Sequence, residues 1–91
     1  MARPMGGEGT IAATFRITGR GFVVVLEDEF SGIVRVGQVL ESPAGRTLSK
    51  GVDQGRKREA GEIKEFVGLL VDDASAPLFA KGQRVKFYEA L

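Results

Sequence analysis

The chain has no cysteine and no histidine. Without cysteine there is no disulfide framework, and nothing implies an oxidising compartment. Without either residue, zinc sites of the Cys/His kind are excluded. The commonest general base is missing as well, which leaves carboxylates, lysine and a single tyrosine for any chemistry. Long apolar runs are also lacking, and none approaches the ~18 residues of a transmembrane helix. The N-terminus has no basic stretch followed by an apolar core, so no signal peptide is expected and the cytoplasm is the expected location. Nor is there a large excess of positive charge. The net value of +1 is lower than is usual for a dedicated nucleic-acid binder. The phosphate-loop pattern, GxxxxGK followed by Ser or Thr, does not occur.

What the 91 residues do contain is a pattern stated twice. Residues 67–86, moved back by 45 positions, lie on residues 22–41 without a gap. Val24-Val25-Leu26-Glu27-Asp28 falls on Leu69-Leu70-Val71-Asp72-Asp73, Ile33-Val34 on Leu78-Phe79, and Gly37-Gln38 on Gly82-Gln83. Only three positions are identical, Asp28/Asp73, Gly37/Gly82 and Gln38/Gln83, but the chemical classes track along most of the stretch. Each copy reads as apolar strand, acidic break, short apolar run, Gly-Gln, apolar strand.

The length suits one domain, with residues 1–9 as a flexible Gly/Pro-rich tail and residues 10–91 as the folded body. Strands are expected over residues 11–18, 22–26, 38–42, 46–52, 67–71 and 83–88, from β-branched and apolar runs bounded by glycine, proline and acidic breaks. Residues 33–36 read as a short extended run, and residues 59–66 as an ambiguous strand. Gly19-Arg20-Gly21 suits a tight hairpin, because glycine takes positive φ at no steric cost. Residues 53–58 read as a second hairpin tip, and residues 72–77 as a loop with room for one helical turn. Gly37 and Gly82 are expected at equivalent kinks. Phe15, Phe22, Phe66 and Phe87 sit where core residues belong, whereas Phe30 and Phe79, beside turns, are the candidates for partial exposure. Many short strands with glycine-rich turns point to an all-β fold, a small closed barrel.

Candidate chemistry is sparse. Gly6-Gly7-Glu8-Gly9 follows no strand and opens no helix, so it is not read as a nucleotide loop. Glu27-Asp28-Glu29 and Asp72-Asp73 offer oxygen ligands for a divalent cation, but turn solvation accounts for them more simply, and no metal or cofactor is expected. No nucleophile–base pair is recognisable, so the chain is not read as an enzyme. Residues 46–58 carry Arg46, Lys50, Arg56, Lys57 and Arg58 against Asp53 alone, a local +4. Such a segment can follow phosphates, or it can be a solvated loop. Arg20, at a hairpin tip, has no core role, and tips are where binding residues tend to sit.

Phe15-Arg16-Ile17-Thr18-Gly19-Arg20-Gly21-Phe22-Val23-Val24 resembles the opening hairpin of the second domain of translational GTPases such as elongation factor Tu and initiation factor 2. Gly32-Ile33-Val34-Arg35-Val36-Gly37-Gln38-Val39-Leu40 is similar to the element that follows it there. Val67-Gly68-Leu69-Leu70-Val71 and Lys81-Gly82-Gln83-Arg84-Val85 resemble the later strand and the closing element, in family order. The resemblance implies a closed six-stranded barrel with Gly19, Gly21, Gly37 and Gly82 as structural glycines. Taken with the local charge of +4, it points to a stand-alone binding module contacting RNA (tRNA or rRNA) or a ribonucleoprotein through Arg20, Arg46, Lys50, Arg56, Lys57 and Arg58. The alternative partner is another polypeptide, including a GTPase-type domain supplied in trans. The chain departs from the family in having Ala12-Ala13 where the elongation factors carry an acidic pair. It also lacks GTPase motifs, so GTP hydrolysis is not expected of it.

Overall fold

The computed structural model describes residues 6–90, apart from the side chains of residues 57–59 and 63–65. It contains strands β1 (Gly6–Ile17), β2 (Gly21–Leu26), β3 (Gln38–Ser42), β4 (Gly45–Leu48), β5 (Gly51–Glu59), β6 (Glu62–Val71) and β7 (Arg84–Glu89). A 3-10 helix, Asp73–Leu78, lies between β6 and β7. The strands form one antiparallel sheet in the order β4-β3-β7-β1-β2-β6-β5. The all-β expectation therefore holds, with seven strands instead of six, and with β4 and β5 as sheet edges that do not pair with each other.

β1 joins the two halves of the sheet. Its first part pairs with β7, from Gly6↔Tyr88 to Thr10↔Arg84, and its second with β2, from Ile11↔Leu26 to Ile17↔Gly21. The inner faces of both halves meet around one core of Ile11, Val24, Leu26, Leu40, Leu69, Val71, Phe79, Val85 and Phe87. Burying each of these larger side chains contributes about 1.5–3 kcal/mol. Among the described residues the two halves thus share a single core.

Several expectations need correction. Residues 6–9 are not tail: they start β1 and pair with β7, while residues 1–5 lie outside the described residues. Their glycines are required by close packing, since a Cβ on Gly7 would run into the Ser31 carbonyl and one on Gly6 into the Phe87 carbonyl. Residues 53–58 are not a hairpin tip but lie inside β5, and the chain turns instead at Ala60 (φ 51°) and Gly61 (φ 83°). Two successive positive φ values are what a two-residue hairpin turn demands. Gly55 marks no turn because the Phe66 ring fills the place of its missing side chain, 2.5 Å from where a Cβ would stand.

The phenylalanine assignments also change. Phe79 is buried at 4% exposure, and Phe15 is 41% exposed. A one-residue bulge in β1 explains Phe15. Ile11 pairs with Leu26 but Ala13 pairs with Val25, leaving Ala12 extra. An extra residue in one strand flips every later side chain to the other face. Ile11 thus points into the core, while Phe15 lies on the outside, in register with Val23. Residues 33–36 join no ladder.

The doubled sequence pattern is matched by doubled geometry. Gly37 and Gly82 have φ of 87° and 86°. The Gly37 N–H donates to the Ser49 carbonyl (3.2 Å), and the Ser49 N–H donates to the Gln38 carbonyl (2.8 Å). In the second unit the Gly82 N–H donates to the Ile11 carbonyl (2.8 Å), and the Ile11 N–H to the Gln83 carbonyl (2.9 Å). Both glutamine side chains accept the backbone N–H three residues earlier, Gln38 from Arg35 at 2.8 Å and Gln83 from Ala80 at 3.2 Å. Ser49 therefore occupies the place in the second unit that Ile11 occupies in the first. Eleven positions lead from Ile11 to Phe22, and eighteen from Ser49 to Val67. The second hairpin is longer by that difference. It extends past the body as a two-stranded ribbon, since β6 pairs with β2 only over Val67 to Val71.

A Cβ at Gly37 or Gly82 would meet no atom within 4 Å, so the backbone angle alone demands glycine there. Gly37→Val and Gly82→Val should each cost about 1–3 kcal/mol. The two losses should agree within ~0.5 kcal/mol in urea unfolding, which would confirm that both sites carry the same strain and nothing else.

Candidate functional site

The β1–β2 hairpin places Arg20 at an exposed tip. Gly19 (φ 79°) and Gly21 (φ 134°) flank it, and its own N–H donates to the Ile17 carbonyl at 2.9 Å. A Cβ on Gly21 would strike the Val71 carbonyl oxygen. The glycine thus lets β2 begin directly against the end of β6. Lys50 packs over the same spot, its Nζ 3.2 Å from where that Cβ would stand. The hairpin tip, Lys50 and the segment after β6 therefore form one neighbourhood.

The acidic residues of that neighbourhood have partners. Asp72 pairs with Lys50 at 3.2 Å and Asp73 with Arg16 Nε at 2.9 Å. All four side chains are exposed, so each pair contributes at most about 1 kcal/mol. Their effect is to neutralise the surface beside the tip. Arg20 is left as a cation with no ion pair among the described residues. No group of three or more His, Cys, Asp or Glu residues that could hold a metal ion occurs among the described residues. No helix among them is long and apolar enough to cross a membrane.

The five basic residues expected to act together are not gathered in one place. Lys50 joins Arg20. Arg46 lies on β4 across from Glu41 of β3. Arg56, Lys57 and Arg58 lie in the ribbon, where the ladder sets them opposite Glu65, Lys64 and Ile63. Lys64 thereby joins the basic segment, a neighbour invisible while residues 53–58 are read as a tip. Glu59, Glu62 and Glu65 share the ribbon, so its positive charge is largely offset. The outer face near β1 is matched as well, with Arg84 on Glu8 at 3.1 Å.

A second feature escaped the sequence reading. Val34, Arg35 and Val36 face Val52, Asp53 and Gln54 of β5 across a groove of about 720 Å³. A smaller depression of about 330 Å³, lined by Gln54, Gly55, Arg56, Phe66 and Val67, continues it along the same strand. Ile33 and Val36 are 46% and 61% exposed, unusual for branched apolar side chains. β5 pairs with β6 on one side only, so this groove runs along an open sheet edge. The signal in the sequence is an apolar run bracketed by Gly32 and Gly37, both at positive φ. That bracket holds the run off the ladder.

Hydroxyl groups near the core serve structure. Ser49 Oγ donates to the Gln38 carbonyl at 3.0 Å, Ser75 Oγ to Thr47 Oγ1 at 2.9 Å, and Tyr88 Oη to Glu41 at 2.7 Å. The fold is thus an antiparallel all-β sheet wrapped on one core, with a hairpin tip, a ribbon and an edge groove as its surface features. Comparison with protein-family models, with curated proteins and with solved structures finds no match.

Proposed function

We propose that this chain is a non-catalytic binding module of the translation-factor barrel type, and that its partner is another polypeptide. In this reading β4 and β5 act as one bent strand, which makes the barrel six-stranded and closed. Support comes from the doubled geometry. β1 pairs with β7 through its first part and with β2 through its second, as β4 pairs with β3 and β5 with β6. Ser49 and Lys50 connect β4 to β5, and their N–H groups donate to the Gln38 and Leu70 carbonyls.

The observation that carries the polypeptide reading is the exposure of Val36 in the groove beside an unpaired strand edge, with Ile33 exposed in the same run. An open edge offers backbone hydrogen bonds to an incoming strand, and the apolar side chains add area. RNA is the second reading. Arg20, at an exposed hairpin tip and without an ion pair among the described residues, favours it, together with Lys57 and Lys64 set opposite each other in the ribbon. Phosphates attract such cations, with an affinity that falls steeply with salt.

Affinity capture from cell extract, with and without nuclease, separates the two. The expected complex survives nuclease, persists in Arg20→Ala and is lost in Ile33→Ser/Val36→Ser. A complex that vanishes with nuclease and with Arg20→Ala would instead establish the RNA reading.

A further inference from the structure

We propose that the β5 edge binds the β5 edge of a second copy of this chain, antiparallel about a two-fold axis at Gly55. The inference rests on reading this edge as a polypeptide-binding surface, and it names the polypeptide. β5 is a nine-residue edge strand, long for an edge left open. Its outer part belongs to a ribbon of two strands, and such a ribbon is marginally stable on its own in water. A third strand along β5 would supply what the ribbon lacks.

The charges of β5 select the occupant and the register. A two-fold axis normal to a ladder sets one residue opposite its own copy. With the axis at Asp53, Arg56, Lys57 or Arg58, a charge meets its own copy. With the axis at Gln54, charged residues meet only uncharged ones. With the axis at Gly55, Asp53 falls opposite Lys57 of the second copy, and the pair occurs twice. The remaining pairs are then Gly51 with Glu59, Val52 with Arg58 and Gln54 with Arg56, none of them like-charged. Parallel pairing in register would instead stack Arg56, Lys57 and Arg58 on their own copies. The basic run thus guards the edge against most strands and admits this one. In the antiparallel arrangement each ribbon enters the other copy's groove between β5 and residues 34–36. That brings residues 56–59 of one copy beside Val34, Arg35, Val36 and Val52 of the other, with the Arg35 charge met within its own copy by Glu89 at 3.9 Å.

Light scattering over a concentration series tests the proposal. The unmodified chain is expected to dimerise reversibly. Asp53→Lys and Lys57→Asp should each raise the dissociation constant by about tenfold or more, because both opposed pairs become repulsive. The Asp53→Lys/Lys57→Asp double variant should restore dimerisation, since the charges are exchanged and not removed. An equimolar mixture of the two single variants should form a heterodimer, in which both pairs are again opposite in sign. Unfolding does not mimic this pattern. Asp53 faces Gly68 within its own sheet, and Lys57→Asp replaces a like-charged pair with Lys64 by an opposite one. Far-UV circular dichroism melts will verify that both variants are folded.

A monomeric wild-type chain across the series, or a mixture that stays monomeric, overturns the proposal. A monomer that still loses its nuclease-resistant partners on Ile33→Ser/Val36→Ser would leave the polypeptide reading standing and remove self-association alone.

Discussion

Replacing Phe87 by alanine should cost about 3–5 kcal/mol, the largest loss expected from any single truncation in this chain. Phe87 is 1% exposed and lies on β7, which pairs with β1 on one side and β3 on the other. Its ring meets Phe30 edge-on, with centroids 6.1 Å apart, so it also pins the long connection between β2 and β3. Truncation would open a cavity where the two halves of the sheet meet. β-strands with hydrogen bonds on both sides cannot collapse into such a space without breaking their ladders. For a domain of this size the loss corresponds to a fall in melting temperature of roughly 15–30 °C. A small domain has total stability of only about 5–15 kcal/mol, so the variant should be largely unfolded near physiological temperature. Phe15→Ala is the matched control. Phe15 is 41% exposed and stands opposite Val23 on the outer face, so its loss should be about 1–2 kcal/mol. Equal effects in the two variants would mean that the bulge in β1 is misplaced and that Phe15 points inward.

That contrast shows where sequence reasoning worked and where it stopped. Gly19-Arg20-Gly21 and the run after it predict the first hairpin closely, because local steric preference and burial agree there. β1 is harder. The stretch alternates loosely, with Ile11, Ala13, Phe15 and Ile17 expected on one face, yet the bulge at Ala12 shifts the later ones to the other face. A bulge depends on how the partner strand bends, which a single strand does not encode. The β5–β6 ribbon was hidden by a similar ambiguity. Gly55 followed by three basic residues has the composition of a turn. Only the cross-strand Phe66 reveals Gly55 as a strand position, and that pairing spans a hairpin whose length the sequence leaves open.

The candidate site was legible to a smaller degree. Arg20 stands where the hairpin pattern puts it. The basic segment reads as a unit along the chain because five cations fall within residues 46–58. Folding then distributes them: Lys50 to Asp72, Arg46 across from Glu41, and the rest into a ribbon they share with three glutamates. Charge along a strand says little about charge in space until its neighbours are known. The edge groove could not be read at all from hydrophobicity. Ile33 and Val36 have the character of core residues, and what keeps them out of the core is backbone geometry at Gly32 and Gly37, while Val34 between them packs against it.

The doubled pattern also predicts an asymmetry that tests it. Gln38 and Gln83 make the same backbone contact, but Gln38 is fully buried and its Nε2 also donates to the Ile33 carbonyl at 3.0 Å. Gln83 lies nearer the surface, where water can take over the Ala80 N–H. Gln38→Ala should therefore cost about 2–4 kcal/mol, because it strands two backbone groups and leaves a void. Gln83→Ala should cost about 0.5–1.5 kcal/mol, the net value of an ordinary hydrogen bond. The readout that separates a local from an architectural role is hydrogen exchange at Ser49. Its N–H donates to the Gln38 carbonyl at the link between β4 and β5. If that link seals a closed barrel, the Ser49 amide of the native chain should exchange only by global opening, as slowly as that of Ile11, its counterpart in the first unit. Gln38→Ala should then speed exchange at Ser49 more than at Ile11, and Gln83→Ala should do the reverse. Fast exchange at Ser49 in the native chain would mean that β4 and β5 are true edges. The six-stranded barrel would then fall, and the sheet would be an open one of seven strands.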